Sequence, residues 1–151
     1  MAQSLAKIIV HIVFSTKNRT PFLRDEAIRR ELNSYLAATL RELDSPALLI
    51  GSLSDHVHVL FLLSRTHAVC DILEEIKKNS SKWAKTKSPD LRDFQWQNGY
   101  GIFSVSQSNV AAVKKYISEQ EDHHRTMTFQ DEFRRLLEKY EVKFDERYVW
   151  D

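Results

Sequence analysis

The chain has 151 residues, and this length suits one domain with its own hydrophobic core. Its 42% hydrophobic and 28% charged residues are typical of a globular protein and argue against a mainly disordered chain. No stretch approaches the ~18 apolar residues of a membrane span, and no secretory signal pattern is found near the start, so we expect a cytoplasmic protein. Because Cys70 is the only cysteine, an internal disulfide and a thiolate zinc cluster are both excluded.

The net charge of +1 conceals an uneven distribution of charge. Residues 1–118 carry 16 Lys and Arg against 11 Asp and Glu, whereas residues 119–151 carry 6 against 10. Within the basic part, the run KKNSSKWAKTK from Lys77 to Lys87 contains five lysines, no acidic residue and Trp83. Such a run either contacts nucleic-acid phosphates or forms an ordinary solvated helix face.

The first half of the chain predicts a strand, a helix and a hairpin. Residues 5–14 (LAKIIVHIVF) are apolar and rich in β-branched side chains, which is typical of a buried strand. Asp25 is placed to cap a helix over residues 26–43, in which apolar residues recur at helical spacing. The runs 46–53 (PALLIGSL) and 56–63 (HVHVLFLL) are separated by two turn-forming residues and predict a β-hairpin.

The second half predicts two more helices around one more strand, followed by a helical tail. An amphipathic helix is expected over residues 69–85, and residues 100–105 (YGIFSV) predict a strand. Ser108 or Asn109 should cap the next helix, which carries Tyr116.

The predicted order of strand, helix, strand, strand, helix, strand matches a ferredoxin-like α+β fold, an antiparallel sheet with helices on one face. The helix that bears Tyr116 is an addition at the C-terminal end, and a further helix is expected near residues 129–139. We expect one domain over residues 1–151, with a core of about 5–125 and a helical tail of about 126–151.

Two short patterns carry chemistry. Side chains two apart on a strand leave the same face, so His56 and His58 should point together while Val57 points into the core. Residues four apart on a helix are neighbours, so Tyr116 and Gln120 should also form a pair. Neutral imidazole is a good ligand for transition metals, and a phenol is a possible nucleophile. The two pairs together predict a metal ion with a nucleophile beside it.

Three other histidines receive different interpretations. His11 lies within the first predicted strand, where a histidine is expected to be part of the core or of a sheet face. His123 and His124 are adjacent on a helix and diverge by about 100°, so they are not expected to face one ion together. We assign them a structural or DNA-facing role.

The sequence resembles the single-tyrosine HUH transposases, the insertion-sequence-200-like family that moves single-stranded DNA. His56, Val57 and His58 match the histidine, hydrophobic, histidine motif, and Tyr116 with Gln120 matches the tyrosine helix. Supporting runs are VHIVFSTKNR near the start, WQNGYGIFSVS before the tyrosine helix and QEDHH after it. The resemblance extends from about Ile8 to Tyr140 and is complete at the catalytic positions.

The resemblance implies an activity and a cofactor. The hydroxyl of Tyr116 would attack a DNA phosphodiester and form a 5′-phosphotyrosine link with a free 3′-hydroxyl, later used for rejoining. A divalent ion held by His56, His58 and the neutral amide of Gln120 would help by polarising the phosphate. Mg or Mn is expected, with Mn the better match to imidazole ligands.

The resemblance also implies partners. Similar proteins are homodimers with shared active sites, in which the tyrosine helix of one subunit completes the histidine site of the other. They recognise imperfect hairpins of single-stranded DNA at the ends of a mobile element. The basic run supplies candidate DNA contacts, which are Lys77, Lys78, Lys82, Lys85 and Trp83. No membrane partner is expected.

Three alternatives stay open at this point. An RNA recognition motif has the same element order, and 98–105 (NGYGIFSV) resembles its aromatic signature, but that signature belongs on the third strand. A domesticated transposase that binds DNA or RNA hairpins as a regulator could retain every catalytic residue. Another HUH nicking endonuclease, such as a plasmid nickase or a replication initiator, usually has a longer chain.

Overall fold

The computed structural model describes residues 2–151, and its elements follow the predicted order. The elements are β1 (Ile9–Ser15), α1 (Glu26–Glu42), β2 (Ala47–Ser52), β3 (His56–Leu62), α2 (Val69–Lys85), β4 (Gly101–Val105), α3 (Val110–Ser118), α4 (Gln120–His123) and α5 (Phe129–Lys139). Over residues 2–151, none of these helices has both the length and the hydropathy needed to cross a bilayer.

The four strands form one antiparallel sheet in the order β2-β3-β1-β4. This order places β1 and β3 at the centre, where each is paired on both sides. The register sets His56 opposite Ser15 and His58 opposite Val13. The ferredoxin-like α+β fold is therefore confirmed.

One face of the sheet carries the main core. Because side chains alternate along a strand, Val10, Ile12 and Phe14 of β1 all point to this face. They pack against buried residues of α1 and α2, including Leu36 and Ile76. The helix α1 begins where predicted, since the Asp25 carboxylate accepts hydrogen bonds from the backbone N–H groups of Ala27 and Ile28.

The opposite face of the sheet is covered by the helices that follow β4. The helix α3 packs through Val113 and Ile117 in a cluster with Leu60 of β3. The helix α5 packs through Phe129 and Phe133 in a second cluster with β1 and β4. The added tyrosine helix and the tail helix thus make a second layer, and the side chains of β1 and β3 that face it include all three strand histidines.

The structure differs from the predicted boundaries in two places. The first strand begins at Ile9 rather than at residue 5, and Leu5 is 84% exposed. Residues 5–8 are therefore not part of the sheet. The tyrosine helix is interrupted after Ser118, because Glu119 adopts φ −98° and ψ 15° and α4 then starts at Gln120. Asn109 occupies the predicted cap position, but its side chain makes no capping hydrogen bond.

Gly51 allows the close approach of α3 to β2. A Cβ atom at this position would lie 2.7 Å from Cγ2 of Ile117 and 3.2 Å from the Ile117 carbonyl oxygen. The Ile117 side chain is β-branched and stiff, so the backbone of α3 would have to move.

We expect Gly51→Ala to lower the free energy of unfolding by ~1–3 kcal/mol, the usual cost of overpacking. Urea denaturation monitored by circular dichroism would measure the loss. The control is Gly99→Ala, whose added Cβ would lie 3.5 Å from its nearest neighbour, the Asp151 carbonyl oxygen, in ordinary contact. Equal stability of the two variants would contradict a tight contact between β2 and α3.

Candidate active site

Two histidines and the tyrosine meet between the sheet and the second helical layer. His56 and His58 are both fully buried on β3, on the face that α3 and α5 cover. The ring of Tyr116 lies edge-on to that of His58, with 5.8 Å between the ring centroids. A single chain therefore brings the histidine pair and Tyr116 together.

A carboxylate from α5 lies at the centre of this group. Glu132 is only 2% exposed, and its Oε1 atom lies 3.1 Å from Nε2 of His58 and 3.4 Å from Nε2 of His56. Nε2 of His124 lies 3.0 Å from the same oxygen. The other oxygen, Oε2, accepts a hydrogen bond from the hydroxyl of Tyr116. One carboxylate thus faces the histidines with one oxygen and the phenol with the other.

The second nitrogen of each strand histidine is held in place from behind. Nδ1 of His56 lies 2.7 Å from Oδ1 of Asp55, and Nδ1 of His58 lies 2.9 Å from Nε2 of His11. Burial and the neighbouring His58 lower the pKa of His11 to about 3, so His11 is neutral and can accept the Nδ1–H of His58. Such partners fix the tautomer and leave Nε2 of both histidines facing the cluster.

The donor atoms fit a divalent metal ion. One ligand atom from each of His56, His58 and Glu132 lies within 4.8 Å of the others. Two imidazole nitrogens and a carboxylate oxygen are ordinary ligands for Mn²⁺ and the later transition metals. Oε1 of Gln120 lies 3.4 Å from Nε2 of His56, so the amide predicted as a ligand is also adjacent.

The electrostatics of the cluster depend on the Glu132 charge. Burial alone would raise the pKa of the Glu132 carboxyl, but hydrogen bonds with His124, His56 and His58 hold this pKa well below its usual range. For His56 the effect of burial has the opposite sign and would lower the pKa, but pairing with Asp55 and Glu132 raises this pKa to about 8. Burial and the Glu132 charge both raise the pKa of Tyr116, so its hydroxyl is protonated at neutral pH.

Glu132 is a site residue that the sequence motifs do not include, and His124, for which a structural or DNA-facing role was predicted, contacts it. Glu132 lies within the buried stripe of α5 that also contains Phe129, Phe133 and Leu136. A lone acid in such a stripe is the signal that could have indicated it, since buried carboxylates are almost always paired. His123 packs against Tyr116, with 5.0 Å between the ring centroids.

The basic run lies on the other side of the sheet. Four of its five lysines belong to α2, which packs on the face opposite the histidines. Lys82 and Lys85 are exposed, whereas Nζ of Lys77 donates to the backbone carbonyls of Gln97, Asn98 and Gly99 at 2.7–3.2 Å. Trp83 stacks on Tyr35, with 5.5 Å between the ring centroids. The structure therefore does not bring these predicted DNA contacts together with Tyr116.

Comparisons with known proteins agree on one family. The family model described as "Transposase IS200 like" matches residues 4–120. The ISDra2 transposase TnpA of Deinococcus radiodurans is 25% identical over 117 residues, which covers 74% of this chain and 83% of that protein.

Two solved structures share the fold. A transposase structure from Deinococcus radiodurans R1 has a TM-score of 0.61 and 22% identity, and it covers 80% of this chain and 95% of its own. The REP-associated tyrosine transposase bound to a REP hairpin has a TM-score of 0.61 and 16% identity, and it covers 82% of this chain and 73% of its own. The helix α5, with Glu132, lies beyond the residues that the family model matches.

We expect Asp55→Asn to lower the pKa of His56 from about 8, because a neutral amide does not favour the charged imidazole. NMR titration of the metal-free protein would measure this change. A raised histidine pKa stabilises the fold fully below pH 6.5, and this contribution is lost as the pH rises through 8. The variant should therefore lose roughly 1–2 kcal/mol of stability at pH 6 and little at pH 9. The control is Asp44→Asn, at an exposed position. If Asp55→Asn lost the same stability at pH 6 and pH 9, the pairing of Asp55 with His56 would be contradicted.

Proposed function

Since the chain belongs to the IS200-like transposase family, we propose that it cleaves and rejoins single-stranded DNA with Tyr116 as the nucleophile. The observation that carries this proposal is the Tyr116 hydroxyl, which donates to a carboxylate shared with the buried histidine pair. Tyr116 also lines a cavity of about 400 Å³.

Each side chain has a role in the proposed reaction. The Tyr116 oxygen attacks the phosphorus of a DNA phosphodiester, and the bond from phosphorus to the 3′ oxygen breaks. The products are a 5′-phosphotyrosine link and a free 3′-hydroxyl, which takes its proton from water. Oε2 of Glu132 accepts the hydrogen bond of the Tyr116 hydroxyl and so orients the attacking oxygen, and the phenol proton passes to water. The reverse reaction with another 3′-hydroxyl rejoins the strand.

We propose that His56, His58 and Glu132 hold a divalent ion, with the Gln120 amide as a further ligand. Such an ion would polarise the phosphate and offset its developing negative charge. Mg or Mn is proposed, and the imidazole ligands favour Mn. Asp55 and His11 keep the two histidine rings oriented for this task.

Hairpin ends of single-stranded DNA are the proposed substrate. A structurally similar tyrosine transposase has been solved with a REP hairpin bound, which supports a hairpin ligand for this fold. The basic balance of residues 1–118, with 16 Lys and Arg against 11 Asp and Glu, agrees with a polyanionic partner.

We expect wild-type protein, incubated with Mn²⁺ and labelled single-stranded DNA from its own genomic flanks, to form a covalent adduct. The adduct should run as a slowed band on a denaturing gel. Tyr116→Phe removes only the attacking oxygen and should abolish the band, as should chelation of the metal. His58→Ala should reduce the rate by about 100-fold or more, because loss of even an outer-shell partner of a metal ligand costs roughly 10–100-fold.

The matched control is Tyr148→Phe, which removes a phenol oxygen from a 63% exposed residue remote from the histidines. Its adduct should form at the wild-type rate. An adduct that persists in Tyr116→Phe would contradict the assignment of the nucleophile. Binding without any adduct on either flank would instead identify a hairpin-binding regulator.

The homodimer stays a prediction, and in place of the predicted sharing of active sites we propose that each chain uses its own tyrosine. Both Tyr116 and His58 contact Glu132 within one chain, so no exchange of helices is needed to assemble the site. Mixing Tyr116→Phe protein with His58→Ala protein would distinguish the arrangements. We expect no adduct from the mixture, because neither chain has a complete site. Recovery of the adduct would establish that α3 is exchanged between subunits.

The exposed lysines of α2 are proposed as a second DNA-binding surface, remote from the chemistry. The test is the triple variant Lys78→Ala, Lys82→Ala and Lys85→Ala, which leaves the carbonyl contacts of Lys77 intact. Binding of single-stranded DNA should weaken, and its dependence on salt should flatten by ~0.7 in log–log slope for each phosphate that the variant no longer neutralises. An unchanged slope would remove these lysines from the interface.

A further inference from the structure

A cavity of about 400 Å³ opens directly beside Tyr116, between α3 and α5. Its volume lies within the ~300–1,000 Å³ that is usual for ligand sites. Tyr116 and Glu132 both line the cavity, so a ligand there would lie beside the attacking residue.

Two cations of α5 line this cavity. Arg135 and Lys139 are four residues apart, which places them on the same side of the helix. Both are exposed, and within residues 2–151 neither forms an ion pair with a carboxylate. Arg135 and Tyr116 both line the cavity, so the guanidinium and the nucleophile face the same space. Two adjacent unpaired cations beside a nucleophile that attacks phosphate suit an anionic ligand.

The remaining walls of the cavity are mainly apolar. Val113 of α3 and Leu136 of α5 are buried side chains that face it, and Met127 and Tyr140 complete this wall. A flat, partly apolar group therefore fits next to the two cations. A nucleotide combines these properties, since its base has an apolar face and its phosphate is an anion.

We propose that this cavity binds one nucleotide of the single-stranded DNA substrate, next to the phosphate that Tyr116 attacks. The base lies against the wall formed by Val113 and Leu136, and the backbone phosphate contacts Arg135 and Lys139. The proposal rests on the proposed function for its substrate class. The residues of α5 that take part lie outside residues 4–120, the part that the family model matches, so this contact belongs to the chain's own tail.

The first test removes the two cations. In a Tyr116→Phe background that prevents cleavage, the Kd for a single-stranded flank oligonucleotide should rise about tenfold in the double variant Arg135→Ala and Lys139→Ala. The matched control is the double variant Arg41→Ala and Lys143→Ala, which removes the same two charges at exposed positions away from the cavity. Its Kd should stay within about twofold of the parent, since the net charge is equal.

The second test fills the cavity without touching the charges. Ala112 is exposed on α3 and lines the cavity, whereas its neighbour Ala111 is exposed but does not line it. Ala112→Trp should weaken oligonucleotide binding and slow adduct formation by about tenfold or more, and Ala111→Trp should do neither. An abasic nucleotide next to the cleaved phosphate should reduce wild-type binding and have no further effect in Ala112→Trp.

The outcomes separate this proposal from the proposed function. If both cavity variants bind like their controls, and Ala112→Trp also forms the adduct like Ala111→Trp, while wild type forms the adduct, the cavity is not a nucleotide site. If wild type forms no adduct, the proposed reaction fails, and the binding comparison in the Tyr116→Phe background still decides the role of the cavity. Thermal unfolding of each variant identifies any loss of fold, and the tryptophan pair decides the question if the charge variant unfolds.

Discussion

A charged carboxylate stays buried only where cations or hydrogen-bond donors match its charge, and the site depends on this constraint at Glu132. His56, His58 and His124 surround one of its oxygens, and the Tyr116 hydroxyl faces the other. The same contacts hold α5 against the sheet, so the packing of the tail and the geometry of the site depend on each other. Removing the carboxylate would leave the histidines without their shared hydrogen-bond partner. Removing the histidines would leave the Glu132 carboxylate as a buried charge without these donors.

Side chains alternate between the two faces of the central strands, so the core residues lie on one face and the site residues on the other. On β3, Val57, Val59 and Phe61 build the core with α1 and α2, while His56 and His58 leave the other face. A shift of one residue in register would exchange these two sets and destroy both the core and the site. Pairing on both sides of β1 and β3 fixes that register. The histidines are therefore held by the most constrained part of the sheet.

The fold and half of the site could be predicted from local patterns. Periodicity places the helices, and the two-residue repeat places His56 and His58 on one face. The other half depends on contacts that no local pattern encodes. Glu132 reaches His58 across 74 residues of sequence, and Glu132 is apparent only as an acid among the apolar residues of α5. The position of the α2 lysines behind the sheet likewise follows from how the layers stack and not from their own sequence.

The distance between Glu132 and the histidines along the chain has a consequence for the timing of synthesis. A ribosome adds residues in order, so the sheet and its two strand histidines are made well before α5. Until the tail has docked, the nascent chain has a histidine pair and a tyrosine but lacks the acid that joins them. A chain arrested early in translation would thus be unable to assemble this cluster. Synthesis of α5 and assembly of the cluster are coupled by the order of the elements alone.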